Sequence, residues 1–125
     1  MALHNELGKK GELAACEFLL LKGYEIIATN WRNEKAEADI IARKENLIIL
    51  AEVKTRSTEY YGLPEEAVGK RKQKMMVKAA EAFLEEYKLN NEVRYDIIAI
   101  IINEKEHKIE HIEDAFYPYS NELGE

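Results

Sequence analysis

The sequence predicts an α/β fold, a single mixed sheet in the order α-β-β-β-α-β-β, and three observations carry that expectation. An apolar period of about 3.6 residues runs over 7–21 and stops at Gly23. Three Ile- and Val-rich runs with short polar breaks follow between 24 and 56. A second helical period over 64–87 then precedes the most apolar run of the chain, 93–102.

In the first stretch Leu7, Ala14, Ala15, Phe18, Leu19 and Leu21 form the apolar stripe, with Gly23 as the stop signal behind it. The runs 24–32, 36–43 and 47–56 read as consecutive strands of a meander, broken at 33–35 and 44–46. Residues 57–63, with Gly62 and then Pro64, form a loop. From Pro64 the pattern is helical through Met75, Met76, Ala79, Ala80, Phe83 and Leu84 to Tyr87, as one long helix or as one broken near Gly69. The continuous run 93–102 suits a central strand covered on both faces, and 108–112 returns beside it through the polar turn 103–107. The strands on either side of the second helix can then be parallel, joined by a right-handed crossover. One domain is expected over 1–117; residues 115–125 look like a fraying tail, with 118–125 a flexible end.

The chain has 125 residues, 46% hydrophobic and 34% charged, which is enough apolar material for one packed interior and excludes an intrinsically disordered chain. No apolar run approaches the roughly 20 residues that span a bilayer. Residues 1–10 lack a secretory pattern, so no membrane partner is expected and the cytoplasm is the expected compartment. Cys16, the only cysteine, excludes internal disulfides and cysteine zinc clusters. The net charge of −6 hides its distribution: 1–78 holds 14 Lys/Arg against 12 Asp/Glu, and 79–125 holds 4 against 12. Lys70, Arg71, Lys72, Lys74 and Lys78 stand together with no acid between Ala67 and Ala80. That patch is either a docking face for a polyanion or a solvated helix face.

Alternation in the third strand puts Ile48, Leu50, Glu52, Lys54 and Arg56 on one face, and in the second strand Glu37, Asp39 and Ile41 share a face in the same way. If Glu45 and Asn46 form a two-residue turn, Lys44 faces Leu47, and counting back brings Asp39 opposite Glu52 and Glu37 opposite Lys54. A three-residue turn without a bulge would move Asp39 to the other face. Opposed carboxylates destabilise a sheet by about 0.2–1 kcal/mol unless a cation lies between them. Two acids with open positions for water and phosphate suit Mg²⁺ or Mn²⁺. Lys54 would stand about 7 Å along the strand, close enough to orient a water or neutralise phosphate charge. The Glu-x-Lys spacing also occurs at Glu86/Lys88 and Glu106/Lys108, so context rather than spacing selects Glu52 and Lys54.

The segment Ala36-Glu-Ala-Asp-Ile-Ile-Ala42, followed by 47–56, resembles the Asp…Glu-x-Lys core of the restriction-endonuclease-like nucleases, written PD-(D/E)xK, and the element order agrees with that fold. More narrowly, the chain resembles the YraN family of small uncharacterised bacterial proteins, distantly similar to archaeal Holliday junction resolvases. Supporting matches are Gly8-x-x-Gly11-Glu12-x-x-Ala15, Gly23-Tyr24, Asn30-Trp31-Arg32, Glu52-Val-Lys-Thr-Arg56, Lys72-Gln73 and Arg94-Tyr95-Asp96, spread over 8–117.

The resemblance implies a metal-dependent endonuclease that hydrolyses phosphodiester bonds in DNA, branched or otherwise structured, with Mg (or Mn) as cofactor. Asp39 and Glu52 would be the metal ligands, Lys54 the catalytic lysine, and Glu12 the helix-one glutamate that reaches the site, directly or through water. Glu37 and Gln73 would be neighbours. Arg56, Lys70, Arg71, Lys72, Gln73 and Lys74 are the expected nucleic-acid-binding set, through backbone phosphates. A homodimer is expected by analogy, because cutting a junction on two sides needs two sites. One departure is visible: Ala36 stands where the family commonly has Gly, and its methyl could alter the backbone path beside the site. Two other readings stay open: a catalytically silent nucleic-acid-binding module on the same fold, and a protein-interaction domain using the acidic second half.

Other residues have structural expectations. Asp96 caps a loop or pairs with Arg94 or Arg56; Trp31 packs in the core or stacks on an unpaired base; Cys16 is a packing residue. His107 and His111 lie in a hairpin and His4 in a mobile end, so none is a good metal ligand. Tyr60 and Tyr61 contact a strand or cover the core edge.

Overall fold

The computed structural model describes residues 2–57 and 68–117, with side chains from residue 6 onward. Helix α1 (Ala2–Leu21) leads into three strands, β1 (Glu25–Asn33), β2 (Ala36–Lys44) and β3 (Leu47–Arg56). Helix α2 (Lys70–Glu86) and strands β4 (Glu92–Ile102) and β5 (His107–Ile112) follow. The sheet order is β1-β2-β3-β4-β5, with β3 and β4 parallel and the other pairs antiparallel. This is the α-β-β-β-α-β-β mixed sheet expected from the sequence, with the parallel pair on either side of α2.

α1 starts earlier than 7 because the apolar stripe marks where a helix packs, not where it begins. Its end is where Gly23 places it: Gly23 adopts φ 92°, its N–H donates to the Leu20 carbonyl (3.0 Å), and the Tyr24 N–H donates to Leu19 (2.9 Å). That is the two-bond helix stop for which glycine is favoured. α2 begins at Lys70, directly after Gly69, so no helix runs continuously through 68–69; residues 58–67, with Gly62, Pro64, Tyr60 and Tyr61, lie outside the described residues.

The helices cover opposite faces of the sheet. Ala15 and Leu19 of α1 pack with Ile40, Ala42, Ile49, Ala51, Ile98 and Ile100. Met76, Ala79, Ala80 and Phe83 of α2 pack with Ile41, Ile48, Leu50, Tyr95 and Ile97. The continuous burial of β4 from Tyr95 to Ile98 follows from its position between β3 and β5 with a core on each side. Trp31 packs edge-on against Phe83, with ring centroids 5.6 Å apart, which is the core role.

The tail expectation needs correction at its start. The Ala115 N–H donates to the Tyr95 carbonyl (2.7 Å), and buried Phe116 stacks on the Tyr95 ring at 5.0 Å. An apolar side chain that finds a ring in the core loses more by fraying than its backbone gains in entropy. Residues 118–125 lie outside the described residues. No helix among the described residues is long and apolar enough to cross a membrane.

Candidate active site

The two-residue turn at Glu45 and Asn46 is present, with Glu45 at φ 56°, and it sets Lys44 opposite Leu47. From there the β2–β3 ladder runs as counted to Ile40 opposite Ala51 and stops one step before Asp39 and Glu52. The reason is Asp39 itself. Its Oδ2 accepts the Val53 N–H at 2.9 Å, so a side-chain carboxylate takes a donor on β3 where the ladder ends.

β2 also changes phase at this point. Strict alternation would group Ala36 and Ala38 with Ile40 and Ala42, yet they pack in the α2-side cluster together with Ile41. Across the β1–β2 ladder, Asn30 and Asp39 stand between the pairs Thr29–Ile40 and Trp31–Ala38, and Asn30 has φ 50°. The expectation that Glu37, Asp39 and Ile41 share a face by simple alternation, with Glu37 opposite Lys54, is therefore corrected. Glu37 instead meets Arg32 Nε at 3.1 Å and Lys72 Nζ at 3.7 Å.

The outcome is a cluster at the place where β2 parts from β3. Glu52 is buried and close enough to Asp39 for the Asp39 charge to act on its carboxyl. Lys54 Nζ lies 3.5 Å from Glu52 Oε2, and Lys72 Nζ lies 3.4 Å from Oε1. Burial first, and then the Asp39 charge, push the Glu52 carboxyl from 4.5 up to about 7, against the opposing pull of Lys72 and Lys54. Burial alone would lower Lys72, but Glu52, Asp39 and Glu37 together raise it.

A buried carboxyl with a second acid beside it is a place where added positive charge is favoured. Two carboxylates with room left for water and phosphate oxygens fit Mg²⁺ or Mn²⁺. Among the described residues no group of three or more His, Cys, Asp or Glu could hold a metal ion; the acids brought together here are the pair Asp39/Glu52.

Glu12 approaches from the other helix. Its Oε1 accepts from Asn30 Nδ2 at 2.9 Å, which ties α1 to the β1 residue that faces Asp39. Gly11 permits this docking: a Cβ there would lie 1.8 Å from Thr55 Oγ1. Ala36 pairs with Asn33 and buries its methyl in the α2-side core, so the ladder accommodates the departure from glycine.

The sequence of this chain has close relatives. Residues 11–100 match a family described as "Uncharacterised protein family UPF0102". The chain belongs to that family. It is 56% identical over 117 residues to a UPF0102 protein of Christiangramia forsetii, covering 94% of this chain and 98% of that one. It is 50% identical over 119 residues to a UPF0102 protein of Flavobacterium psychrophilum, covering 95% and 100%. A UPF0102 protein of Bacteroides thetaiotaomicron is 48% identical over 118 residues, covering 94% and 98%.

In this UPF0102 member the expected nucleic-acid-binding set divides. Lys70, Arg71 and Lys74 are exposed on the first turns of α2, and Arg56 is half-buried at the end of β3. Lys72 turns inward to the acids, and Gln73 Nε2 donates to the Val68 carbonyl at 3.0 Å, fastening the approach to α2. Sequence reasoning assigned Lys72 to the outer face, although the signal was present: 72, 76, 79 and 83 lie on one helical stripe, and the last three are buried.

A second buried polar group lies on β4. Asp96, fully buried, accepts from Arg94 Nε (2.9 Å), Arg94 Nη2 (2.8 Å) and the Asp114 N–H (3.0 Å). Its Oδ2 also lies 2.7 Å from His111 Nε2, and His111 Nδ1 lies 2.8 Å from Lys22 Nζ. Burial would raise Asp96, but the hydrogen bonds from His111, Arg94 and Asp114 outweigh it and lower it. The partner is Arg94 and the role structural. His111 was missed as a buried group because only the β4–β5 register, Ile98 opposite His111, brings it next to β4. Cys16 is half-buried against the α1-side core, where burial, followed by Glu12, raises its thiol. The side chain of His4 lies outside the described residues.

Proposed function

We propose that this protein is a metal-dependent endonuclease of the PD-(D/E)xK type, hydrolysing phosphodiester bonds in DNA, with branched or otherwise structured DNA as the substrate class. The observation that carries the reading is the acidic pair Asp39/Glu52, close enough that the Asp39 charge raises the buried Glu52 carboxyl, with Lys54 3.5 Å from Glu52, at the opening between β2 and β3. Asp39 and Glu52 would hold a magnesium or manganese ion. When bound, that ion supplies an activated water and neutralises charge developing on phosphate.

The chain's own groups supply the rest. The Val53 N–H fixes one oxygen of Asp39, Oδ2. Lys54, two residues along β3 from Glu52, adds a positive charge for a phosphate oxygen. The exposed Lys70, Arg71 and Lys74 surround the N-terminus of α2, where backbone N–H groups also favour an anion; such contacts attract a nucleic-acid backbone without reading its sequence. Basic residues oppose the helix dipole at that end, which makes a ligand-facing role a better account of them than helix stability.

One observation favours the catalytically silent alternative: each oxygen of Glu52 already has an ammonium within 3.5 Å, Lys72 on one and Lys54 on the other. One experiment separates the readings. Four-way junction, flap, duplex and single-stranded DNA are incubated with wild type, D39A and K54M in Mg²⁺, Mn²⁺ or EDTA. Metal-dependent cleavage that falls at least about hundredfold in D39A supports the enzyme. Cleavage unchanged in D39A refutes the site; DNA retention without product under either metal supports the silent module.

A further inference from the structure

We propose that the Lys72 ammonium is an internal counter-ion that a divalent cation must displace from Glu52, an inference that rests on the metal-site reading above. Lys72 is the third residue of α2, and its side chain crosses from that helix to both strands of the opening. Nζ lies 3.4 Å from Glu52 Oε1 and 3.7 Å from Glu37 Oε1. Lys54 takes the other oxygen of Glu52 at 3.5 Å. Both oxygens of the buried ligand are thus occupied by positive charge, and an ion that uses Glu52 competes with at least one ammonium.

Lys72 is the one able to leave. It sits in the first turn of α2, where the helix dipole repels a cation, and that turn contains no acid. Gly69, the N-cap, offers no side-chain cap either. What holds Lys72 inward is the pair of carboxylates on β2 and β3. When a doubly charged ion neutralises Glu52, that hold weakens, and the flexible side chain can swing toward the solvent around exposed Lys70 and Arg71. Glu37 is not stranded by the departure, since Arg32 Nε remains 3.1 Å from its other oxygen. Lys54 differs in what drives it: it rises from the same strand two residues beyond Glu52, with no helix dipole pushing it away.

The test is calorimetric titration of the metal-free full chain with MnCl₂ for wild type, K72M, K72R and K70M. Removing a competing half-buried ion pair should tighten Mn²⁺ binding by about tenfold in K72M. K72R should stay near wild type, and K70M, which removes the same charge without touching the acids, should change by less than about twofold. Binding seen in K72M but absent in wild type would also support displacement. Unchanged affinity in K72M beside measurable wild-type binding overturns this inference and leaves the metal site standing. An equal gain in K70M assigns the effect to the long-range field and overturns it too. No binding in any variant overturns both.

A second measurement needs no substitution. Amine labelling of wild type, read by mass spectrometry, should speed up several-fold at Lys72 and not at Lys70 when Mg²⁺ is added; labelling at Lys72 unaffected by the ion overturns the proposal.

Discussion

Replacing Glu52 by Gln should stabilise the metal-free protein above neutral pH. Only 6% of the Glu52 side chain is exposed, and burial, followed by the Asp39 charge, moves its carboxyl from 4.5 to about 7. The native state therefore keeps the Glu52 proton to about pH 7, whereas the unfolded chain gives it up near 4.5. Between those values the folded form binds more protons, so stability falls as pH rises and levels off above pH 7. At about 1.4 kcal/mol per pKa unit, the loss comes to about 3 kcal/mol. Gln has the same length and carries no charge at any pH. With an unfolding entropy of about 2.1 cal/mol/K per residue, that difference corresponds to about 10 °C in Tm. The assay is thermal denaturation followed by circular dichroism in EDTA across this pH range. Wild type and E52Q should melt together near pH 4.5, with E52Q about 10 °C higher near pH 8. If Asp39 and Glu52 hold a metal as proposed, Mg²⁺ should narrow the gap. E52Q melting below wild type near pH 8 would refute the reasoning: Lys54 and Lys72 would then more than offset the burial of the Glu52 charge.

Two further predictions concern the scaffold. G11A places a Cβ 1.8 Å from Thr55 Oγ1 and 2.8 Å from Thr55 Cβ, and should cost about 1–3 kcal/mol in urea denaturation. G11A/T55A should recover only part of that, since the Thr55 Cβ remains; full recovery or none would place the close approach elsewhere. D96N removes the charge that Arg94 and His111 surround, and should cost about 3–5 kcal/mol near neutral pH. Because the Asp96 acidity is held below 3.8, its contribution is complete above that value and disappears as pH falls through the lower folded value. D96N should therefore flatten the acid side of the stability curve, and an unchanged acid limb in acid-unfolding titrations would contradict this account.

Much of the site could be read from chain order. Counting back from a two-residue turn at Glu45 and Asn46 brought Asp39 next to Glu52, and the register follows that count as far as Ile40 and Ala51. The count failed one step later because it assumed an unbroken ladder, whereas the Asp39 carboxylate accepts the Val53 N–H and β2 changes phase. Glu37 was misplaced for the same reason. The inward turn of Lys72 was not foreseen because charge pattern was weighed above helical position, although it shares a stripe with Met76, Ala79 and Phe83.

The order of helices and strands, the parallel pair around α2 and the glycine stop at Gly23 were determined by sequence alone. Hydrophobic period and turn chemistry act over a few neighbouring residues, and those residues are adjacent in the chain. The convergence of Lys72 with Glu37 and Glu52, the burial of His111 against Asp96 and the close pass of Gly11 over Thr55 were decided only by the tertiary structure. Each is a contact between elements far apart in sequence, and its geometry depends on how two separately formed surfaces pack.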